Sequence, residues 1–132
     1  MSHKNMEKEC FFCDIQNKKD DKIIIDNQSF FSRYDDFPVT PGHCEIIAKK
    51  HTVSFFDLTK EQLIDFYELL QKTRFIIDDK FRPDSYNIGI NEGEAAGRTI
   101  HHLHIHLIPR YKGDVKNPRG GVRNVIPEKG NY

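Results

Sequence analysis

The chain has 132 residues, and its 20 Lys plus Arg are balanced by 20 Asp plus Glu, which gives a formal net charge of zero at pH 7. This length suits one domain with one hydrophobic core, which we place over residues 1–132. Zero net charge produces no global field that would recruit nucleic acid or an anionic membrane. We therefore expect neither as a partner, and any anion site must be local.

The cysteine pattern and the N-terminal residues favour a reducing compartment. The chain has three cysteines, Cys44 alone and Cys10 with Cys13 as a C-x-x-C pair, which is not the dense, even pattern of a secreted disulfide scaffold. Residues 7–9 are charged and belong to no apolar leader, and no later apolar run is long enough to span a bilayer. We expect a soluble, cytoplasmic protein.

The first half of the chain predicts three strands. Residues 23–25 and 30–31 are rich in Ile and Phe and are separated by a polar turn, which indicates a β-hairpin. A turn-rich stretch with two prolines, residues 38–42, leads into a third strand at residues 43–48.

One long helix follows these strands. Residues 59–62 match a capping box, and the helix is expected to end near Pro83. Apolar residues recur between these points at helical spacing, namely Leu63, Phe66, Tyr67, Leu70, Ile77 and Phe81.

Two further strands are predicted at residues 86–91 and 100–108, joined by a glycine-containing loop at residues 92–97. Strands with a single helix between them predict an α+β fold, here a five-stranded, mainly antiparallel sheet with one long helix. We expect the core to cover residues 10–110. Residues 111–132 are rich in Gly, Pro, Arg and Lys and predict an extended basic tail over the surface or a partner subunit.

Three histidines alternate with aliphatic residues in the fifth predicted strand. Because successive strand side chains point to opposite faces, His102, His104 and His106 are expected to share one face. Imidazole can act near neutral pH as nucleophile, proton donor or metal ligand, so the row predicts a division of labour between metal and chemistry. The alternative is a row without function, either an exposed polar strand face that happens to be rich in histidine or one core histidine with two solvated neighbours. Three neighbouring residues are interpreted as having no part in the chemistry, namely His43, Cys44 and His101.

The C-x-x-C pair supplies half of a tetrahedral zinc site, because its spacing lets both thiolates reach one ion. The candidates for the other two ligands are His51, which closes the third strand, and His102. Such a site would clamp the N-terminal segment onto the sheet. Two alternatives remain open for Cys10 and Cys13: a redox pair, or two ordinary buried cysteines.

Further motifs surround these residues. They are Asp35, Pro41-Gly42-His43, Lys49-Lys50-His51, Asn91-Glu92-Gly93, Gly97-Arg98-Thr99-Ile100 and Leu107-Ile108-Pro109-Arg110. Together with the triad they resemble the histidine triad superfamily of nucleotidyl hydrolases and transferases. The resemblance extends from Cys10 to Arg110. It is similar to the zinc-containing bacterial branch in particular, which implies structural Zn²⁺ on Cys10, Cys13, His51 and His102.

The resemblance also implies roles for the other two triad histidines. His104 matches the nucleophile, whose Nε2 attacks the α-phosphorus of a nucleotide and forms a nucleotidyl-histidine intermediate. A neutral imidazole suits that step when its other nitrogen is held as N–H by an acceptor. His106 would stabilise the phosphate or donate a proton to the leaving group.

The substrate contacts implied by the resemblance are Asn91, Gly97 and Thr99 at the phosphate and Asp35 at the ribose hydroxyls. Arg98 departs from the family pattern, which has glutamine there. Its fixed charge and forked donors suit additional phosphates, and the basic tail could fold over them.

We therefore expect an enzyme that acts on a purine nucleotide, releasing a nucleoside monophosphate from dinucleoside polyphosphates. The alternatives are an adenosine phosphoramidase, a dinucleoside polyphosphate phosphorylase, or a zinc-stabilised nucleotide-binding module with little turnover. The resemblance further implies a homodimer in which the tail reaches the neighbouring site.

Overall fold

Five antiparallel strands form one sheet in the computed structural model, which describes residues 10–132, in the order β1-β2-β3-β5-β4. The charged residues 7–9 lie outside the described residues. The elements in chain order are α1 (Phe11–Ile15), β1 (Ile23–Asp26), β2 (Phe30–Tyr34), β3 (Cys44–Ala48), α2 (Lys60–Phe81), β4 (Ser85–Gly89) and β5 (His104–Arg110). The predicted α+β class, with a five-stranded sheet and one long helix, is confirmed.

The long helix begins where the sequence predicts. The Thr59 hydroxyl accepts the backbone N–H of Gln62 at 3.2 Å, and the Gln62 side chain accepts the backbone N–H of Thr59 at 2.9 Å. This reciprocal capping satisfies two N–H groups that the first helical turn leaves free. The helix ends at Arg82, which adopts a left-handed conformation with φ 52° just before Pro83.

The two faces of the sheet have different partners. On one face, Phe30, Ile46 and Ile105 pack against Phe66 and Leu69 of α2 and form the main core. The other face is open over part of its area, because the short helix α1 covers only one end of it. Two cross-strand rows lie on this second face, namely Phe31, Ile47 and His104, and Arg33, Glu45 and His106.

Helix α1 was not predicted, because five residues are too few for a periodic pattern to appear. Its Phe12 and Ile15 are buried against Phe31 of β2 and Ile47 of β3. The contact holds the C-x-x-C pair beside the sheet, so α1 positions Cys10 and Cys13.

The expectation that the histidine strand runs over residues 100–108 is wrong at its N-terminal end. Strand β5 begins at His104, and its pairing with β3 stops at His104 opposite Ile47. The carbonyl of Leu103 still accepts the backbone N–H of Ala48 in β3 at 3.2 Å, but the N–H of Leu103 donates to the carbonyl of Thr52 at 2.6 Å. His102 therefore lies outside the regular strand and is fully buried. Its ring, like that of His104, still contacts Phe12 of α1. Strand β4 is likewise displaced, to Ser85–Gly89 instead of residues 86–91.

The residues after β5 fold into turns against the sheet. Arg110 forms a forked ion pair with Asp114, with N–O distances of 2.7 and 2.8 Å. Farther along, the guanidinium groups of Arg119 and Arg123 lie 4.7 and 4.9 Å from the ring centre of Tyr132. Two basic residues of the tail thus contact its own terminal aromatic ring. Within residues 10–132, no helix has the length and apolar character that a membrane span requires.

Candidate active site

The open face of the sheet holds a cleft of about 230 Å³, here called the triad cleft. Residues predicted from the sequence line much of it, namely Asp35, Asn91, Gly97, Thr99, His104 and His106. Side chains from α1, β2 and β3 complete its walls, among them Phe11, Phe12, Arg33 and Glu45. The fold therefore brings together residues from both halves of the chain.

The ring of His104 is oriented by the backbone. Its Nδ1 lies 2.7 Å from the carbonyl oxygen of His102, so Nδ1 carries the proton and donates it in a hydrogen bond. Nε2 then holds a lone pair. Burial lowers the pKa of His104, which keeps the ring neutral, and the ring of Phe12 packs on it at a centroid distance of 4.9 Å. A neutral imidazole with a free Nε2 is the nucleophilic form.

His106 is oriented by a histidine that sequence reasoning interpreted as structural. Nε2 of His43 lies 3.0 Å from Nδ1 of His106, and the backbone N–H of Val39 donates to Nδ1 of His43 at 3.1 Å. Because Nδ1 of His43 accepts, its Nε2 carries the proton and donates to His106. Nδ1 of His106 is then the acceptor, which leaves the N–H on its Nε2.

Burial and the neighbouring rings of His104 and His43 lower the pKa of His106 to about 4. The ring is therefore neutral at pH 7 and offers one N–H donor from Nε2. Asp35 lies next to this pair, with Oδ2 at 3.5 Å from Nε2 of His43 and 3.8 Å from Nδ1 of His106. Its other oxygen accepts the backbone N–H of Phe37 at 2.8 Å, which fixes the carboxylate at the rim of the cleft.

The loop before the triad turns at Gly97, which adopts φ 100°, a conformation that favours glycine. The N–H of Gly97 donates to the carbonyl of Glu94 at 2.9 Å, and that of Arg98 to the carbonyl of Gly93 at 3.2 Å. Those two amides are thus engaged within the turn. In the described part of the chain, no residue bonds to the hydroxyl of Thr99, which remains available as a donor to the cleft.

Sequence reasoning missed Glu45, a carboxyl in the middle of β3. Only 6 % of this residue is exposed, and it lies opposite Arg33 on one side and His106 on the other. Burial and the nearby Asp35 raise the pKa of Glu45 to about 8. The signal in the sequence was an acidic residue next to the apolar run of the predicted third strand. Lys, Glu, Arg and Asp are rarely fully buried unless they are paired.

Four predicted metal ligands lie together at the edge of the cleft. Cys10, Cys13, His51 and His102 each offer one ligand atom, and these atoms all lie within 4.8 Å of one another. The measured S–N and N–N separations are between 3.1 and 3.5 Å. A tetrahedral zinc ion with N and S ligands spaces such atoms roughly 3.3–3.8 Å apart, so the cluster fits that ion.

The hydrogen bond at Nε2 of His102, the ring nitrogen that faces away from the cysteines, also suits a metal ligand. Its Nε2 donates to the carbonyl of Ala48 at 2.6 Å, which leaves Nδ1 as the lone-pair nitrogen that faces the cysteines. Metal-binding histidines usually donate their other N–H to a carbonyl or carboxylate in this way. The donor set of two thiols and two imidazoles is typical of structural zinc.

A family model described as the HIT domain matches residues 16–113. The chain belongs to the HIT domain family. It is 34% identical to an uncharacterized HIT-like protein of Methanocaldococcus jannaschii over 118 residues, which cover 88% of this chain and 91% of that protein. It is 38% identical to a bis(5'-adenosyl)-triphosphatase of Dictyostelium discoideum over 80 residues, or 61% of this chain and 54% of that protein.

A solved structure supports the same membership. The Zn-bound histidine triad family protein of Mycobacterium smegmatis superposes with a TM-score of 0.74 at 31% identity, covering 84% of this chain and 81% of that chain. The family resemblance noted from the motifs is therefore confirmed. The Cys and His cluster of this HIT protein can hold a metal ion.

Arg98 of this HIT protein does not line the triad cleft. Its Nη1 donates to the carbonyl of Val53 at 3.1 Å, and its Nε donates to Nδ1 of His101 at 3.2 Å. Burial is the main cause of the lowered pKa of His104, and the positive charge of Arg98 lowers that pKa further. A direct contact between Arg98 and substrate stays a prediction that would require the side chain to turn.

Proposed function

We propose that this HIT protein is a nucleotidyl hydrolase that cleaves dinucleoside polyphosphates at the α-phosphorus and releases a nucleoside monophosphate. The observation that carries the proposal is the hydrogen bond from Nδ1 of His104 to the carbonyl of His102. It leaves a neutral ring with a lone pair on Nε2 beside the cleft, which is what nucleophilic attack requires. The triphosphatase of Dictyostelium discoideum supports the substrate class by its similarity.

In the first step, Nε2 of His104 attacks the α-phosphorus and a P–N bond forms. The P–O bond to the rest of the phosphate chain breaks, and its electron pair stays on the departing oxygen. The Nε2–H of His106 donates a hydrogen bond to that oxygen, which stabilises the developing charge. The tautomer that makes this possible is set by the donor Nε2–H of His43.

In the second step, water attacks the phosphorus of the nucleotidyl-His104 intermediate. The P–N bond breaks and its electron pair returns to Nε2, while the water oxygen becomes part of the nucleoside monophosphate and the released proton passes to solvent. Two easier displacements thus replace one difficult one. The same residues serve in both steps.

We assign substrate contacts to the residues that surround this path. Thr99, Asn91 and Gly97 face the α-phosphate, where the free hydroxyl of Thr99 offers a short donor. The carboxylate of Asp35 accepts the ribose hydroxyls, which suits a ribonucleotide. We assign a purine base because the triphosphatase of Dictyostelium discoideum is named for an adenosyl substrate. We keep Arg98 as a contact for further phosphates after rotation of its side chain.

Adenosine phosphoramidase activity is the second candidate, because Arg98 is bound to Val53 and His101 instead of lining the cleft. Without that cation, the cleft has less charge for a long polyphosphate, and a small amine leaving group becomes competitive. The choice of acceptor is part of the same question, since inorganic phosphate in place of water would make the protein a phosphorylase.

One incubation series tests these functions. Diadenosine tetraphosphate, ATP and adenosine phosphoramidate are each mixed with wild type, His104→Ala and the control Glu61→Gln, an exposed position of α2, with and without inorganic phosphate. We expect nucleoside monophosphate from wild type and from the control, and a loss of about 1,000-fold or more in His104→Ala. Nucleoside diphosphate that appears only with added phosphate would identify the phosphorylase. Nucleotide binding without any product would identify the binding module.

We also propose that zinc occupies the Cys10, Cys13, His51 and His102 cluster as a structural ion. The cluster connects α1 with the chain after β3 and the chain before β5, so zinc would hold the N-terminal helix against the cleft. Metal analysis of protein purified without chelator or added metal tests this. Zinc well below one equivalent per chain would contradict the four-ligand site.

We propose that the protein is a homodimer, in which a second copy of the chain covers the exposed apolar side chains of α2 and β4. Helix α2 leaves Ile64, Tyr67 and Phe75 more than half exposed, and β4, an edge strand, leaves Ile88 half exposed. Exposed apolar side chains on a helix and on an edge strand are typical of an isologous interface. Light scattering of the pure protein measures whether one or two chains are present, and a single chain at micromolar concentration would contradict the homodimer.

A further inference from the structure

Glu45 is a buried acid that no described residue contacts through a hydrogen bond. The residue is 6 % exposed and lines the triad cleft, yet no hydrogen bond from residues 10–132 reaches its carboxyl group. Its cross-strand neighbour Arg33 is already engaged, because Nε donates to Asp20 at 2.7 Å and Nη2 to Asp36 at 3.1 Å. The carboxyl oxygens of Glu45 are not among the fully enclosed atoms that lack a partner, so they open into the cleft, where a ligand can bond to them.

The carboxyl lies beside the reacting groups. One of its oxygens is within 4.8 Å of a ring nitrogen of His104 and of a ring nitrogen of His106. If His104 attacks a phosphorus, the phosphate oxygens must occupy this same space. The acid therefore faces the part of the cleft where substrate charge is greatest.

The surroundings of Glu45 favour its protonated form. Burial is the main cause of its raised pKa of about 8, and repulsion from Asp35 adds to the shift. Only Arg33 opposes these effects, and its charge is shared with two other carboxylates. The charged and titratable groups that face Glu45 from the neighbouring elements are Arg33, Asp35, Asp36, His104 and His106.

We propose that Glu45 binds substrate, and that its carboxylic acid donates a hydrogen bond to an oxygen of the phosphate that His104 attacks. The proposal rests on the proposed nucleotidyl hydrolase function and adds a residue to that site. The neutral acid has an O–H donor and no charge, so it can approach a phosphate. A carboxylate at the same position would have neither advantage, because it only accepts hydrogen bonds and repels the anion.

The expected signature is loss of substrate binding at alkaline pH. As the pH rises through the pKa of free Glu45, the donor becomes a second anion in the cleft, and kcat/KM falls by about tenfold per pH unit. Bound phosphate raises the pKa of the acid further, so kcat declines at a higher pH than kcat/KM does. The loss therefore appears first as an increase in KM.

Two substitutions separate the hydrogen bond from the charge. Glu45→Gln keeps the size and an N–H donor but does not ionise, so we expect kcat/KM within a few-fold of wild type near neutral pH and no alkaline decline. Glu45→Leu removes the donor, and we expect kcat/KM to fall by about 10-fold to 100-fold at neutral pH. Glu61→Gln makes the same chemical change at an exposed position of α2 and should keep the wild-type profile.

Binding of AMP, measured by calorimetry at about pH 7 and about pH 9.5, provides a readout that does not depend on turnover. We expect weaker binding at the higher pH in wild type and equal binding in Glu45→Gln. An alkaline decline that is identical in wild type and Glu45→Gln overturns the proposal while leaving the hydrolase function intact. Wild type that neither binds AMP nor hydrolyses any of the three substrates overturns both.

Folding of each variant is checked by circular dichroism and thermal unfolding. If neither Glu45 variant folds, wild type still decides the question. AMP affinity that stays constant from about pH 7 to about pH 9.5 would show that no acid in the cleft loses a proton needed for binding, which overturns the proposal.

Discussion

Nε2 of His43 lies 3.0 Å from Nδ1 of His106, although His43 comes just before β3 and His106 lies in β5. The backbone N–H of Val39 holds the other nitrogen of His43 as an acceptor. The hydrogen bonds from Val39 to His43 and from His43 to His106 thus determine that the proton of His106 lies on Nε2. His43 acts as a positioning residue for the donor of the proposed reaction.

Replacement of His43 should therefore affect the chemical step more than binding. We expect His43→Ala to lower kcat by about 10-fold to 100-fold with a smaller change in KM, because His106 loses the tautomer that donates. His43→Gln retains an N–H donor at a similar position and should recover part of the rate. Steady-state kinetics of both variants provide the measurement. Equal losses in the two variants would mean that His43 supports only the packing of the strand.

Loss of a cluster cysteine should remove the metal and loosen the N-terminal helix. We expect Cys13→Ser to bind little zinc and to unfold at a lower temperature than wild type, since metal binding contributes several kcal/mol to such folds, about 10 in zinc-finger peptides. Cys44→Ala is the matched control, because Cys44 is a buried core residue outside the cluster. It should retain equimolar zinc in metal analysis. Equal zinc in Cys13→Ser and Cys44→Ala would contradict the assignment of the ligands.

Glu45 should make the fold less stable as the pH rises. Burial in the folded chain raises the pKa of its carboxyl group from the ordinary value of 4.5 to about 8, so the folded chain binds an additional proton between these values. The stabilisation is complete below the lower value and is lost as the pH rises through about 8. The loss amounts to as much as several kcal/mol, because each tenfold difference in proton affinity between the folded and unfolded chain is worth about 1.4 kcal/mol.

Denaturant unfolding across this pH window measures the effect in wild type, Glu45→Gln and the control Glu61→Gln. We expect the free energy of unfolding to decline with pH in wild type and in the control, and to change less in Glu45→Gln. The comparison cancels the other titrating groups, which include the histidines of the cleft. If the three proteins give parallel curves, Glu45 is ionised in the folded chain at neutral pH.

Truncation of an apolar side chain of α2 should lower the free energy of unfolding strongly only on the side of the helix that faces the sheet. Leu69 is fully buried against the sheet, and Leu69→Ala should lower the free energy of unfolding by about 2–5 kcal/mol through lost contacts and the cavity left behind. Leu63 lies on the same helix with 45% of its surface exposed, and Leu63→Ala should cost about 1 kcal/mol or less. Urea unfolding at one fixed protein concentration measures both. Similar costs would mean that Leu63 is buried in an interface between chains.

Features that depend on residues close together in the sequence follow from the sequence alone. The capping box at Thr59 and Gln62 determines where α2 begins, because both hydrogen bonds form within one turn of chain. Strand alternation likewise placed His104 and His106 on one face. These features depend on residues that are close in sequence, so no knowledge of the rest of the fold was required.

Local sequence patterns do not predict the orientation of His102 or the contacts of His43 and Glu45. His102 lies just outside β5, and its ring contacts Cys10 and Cys13, which are about ninety positions earlier in the chain. His43 and Glu45 acquire their neighbours from the register of β3 against β2 and β5.

By itself, the sequence determined the α+β class, the long helix, the candidate metal ligands and the two histidines proposed for chemistry, because each follows from spacing or from a motif. The tertiary structure decided which imidazole nitrogen carries each proton, that Arg98 is directed away from the cleft, and that a carboxyl group lies among the histidines. The physical reason is the same in each case: tautomers, charge states and side-chain directions depend on neighbours that only folding brings within hydrogen-bonding distance.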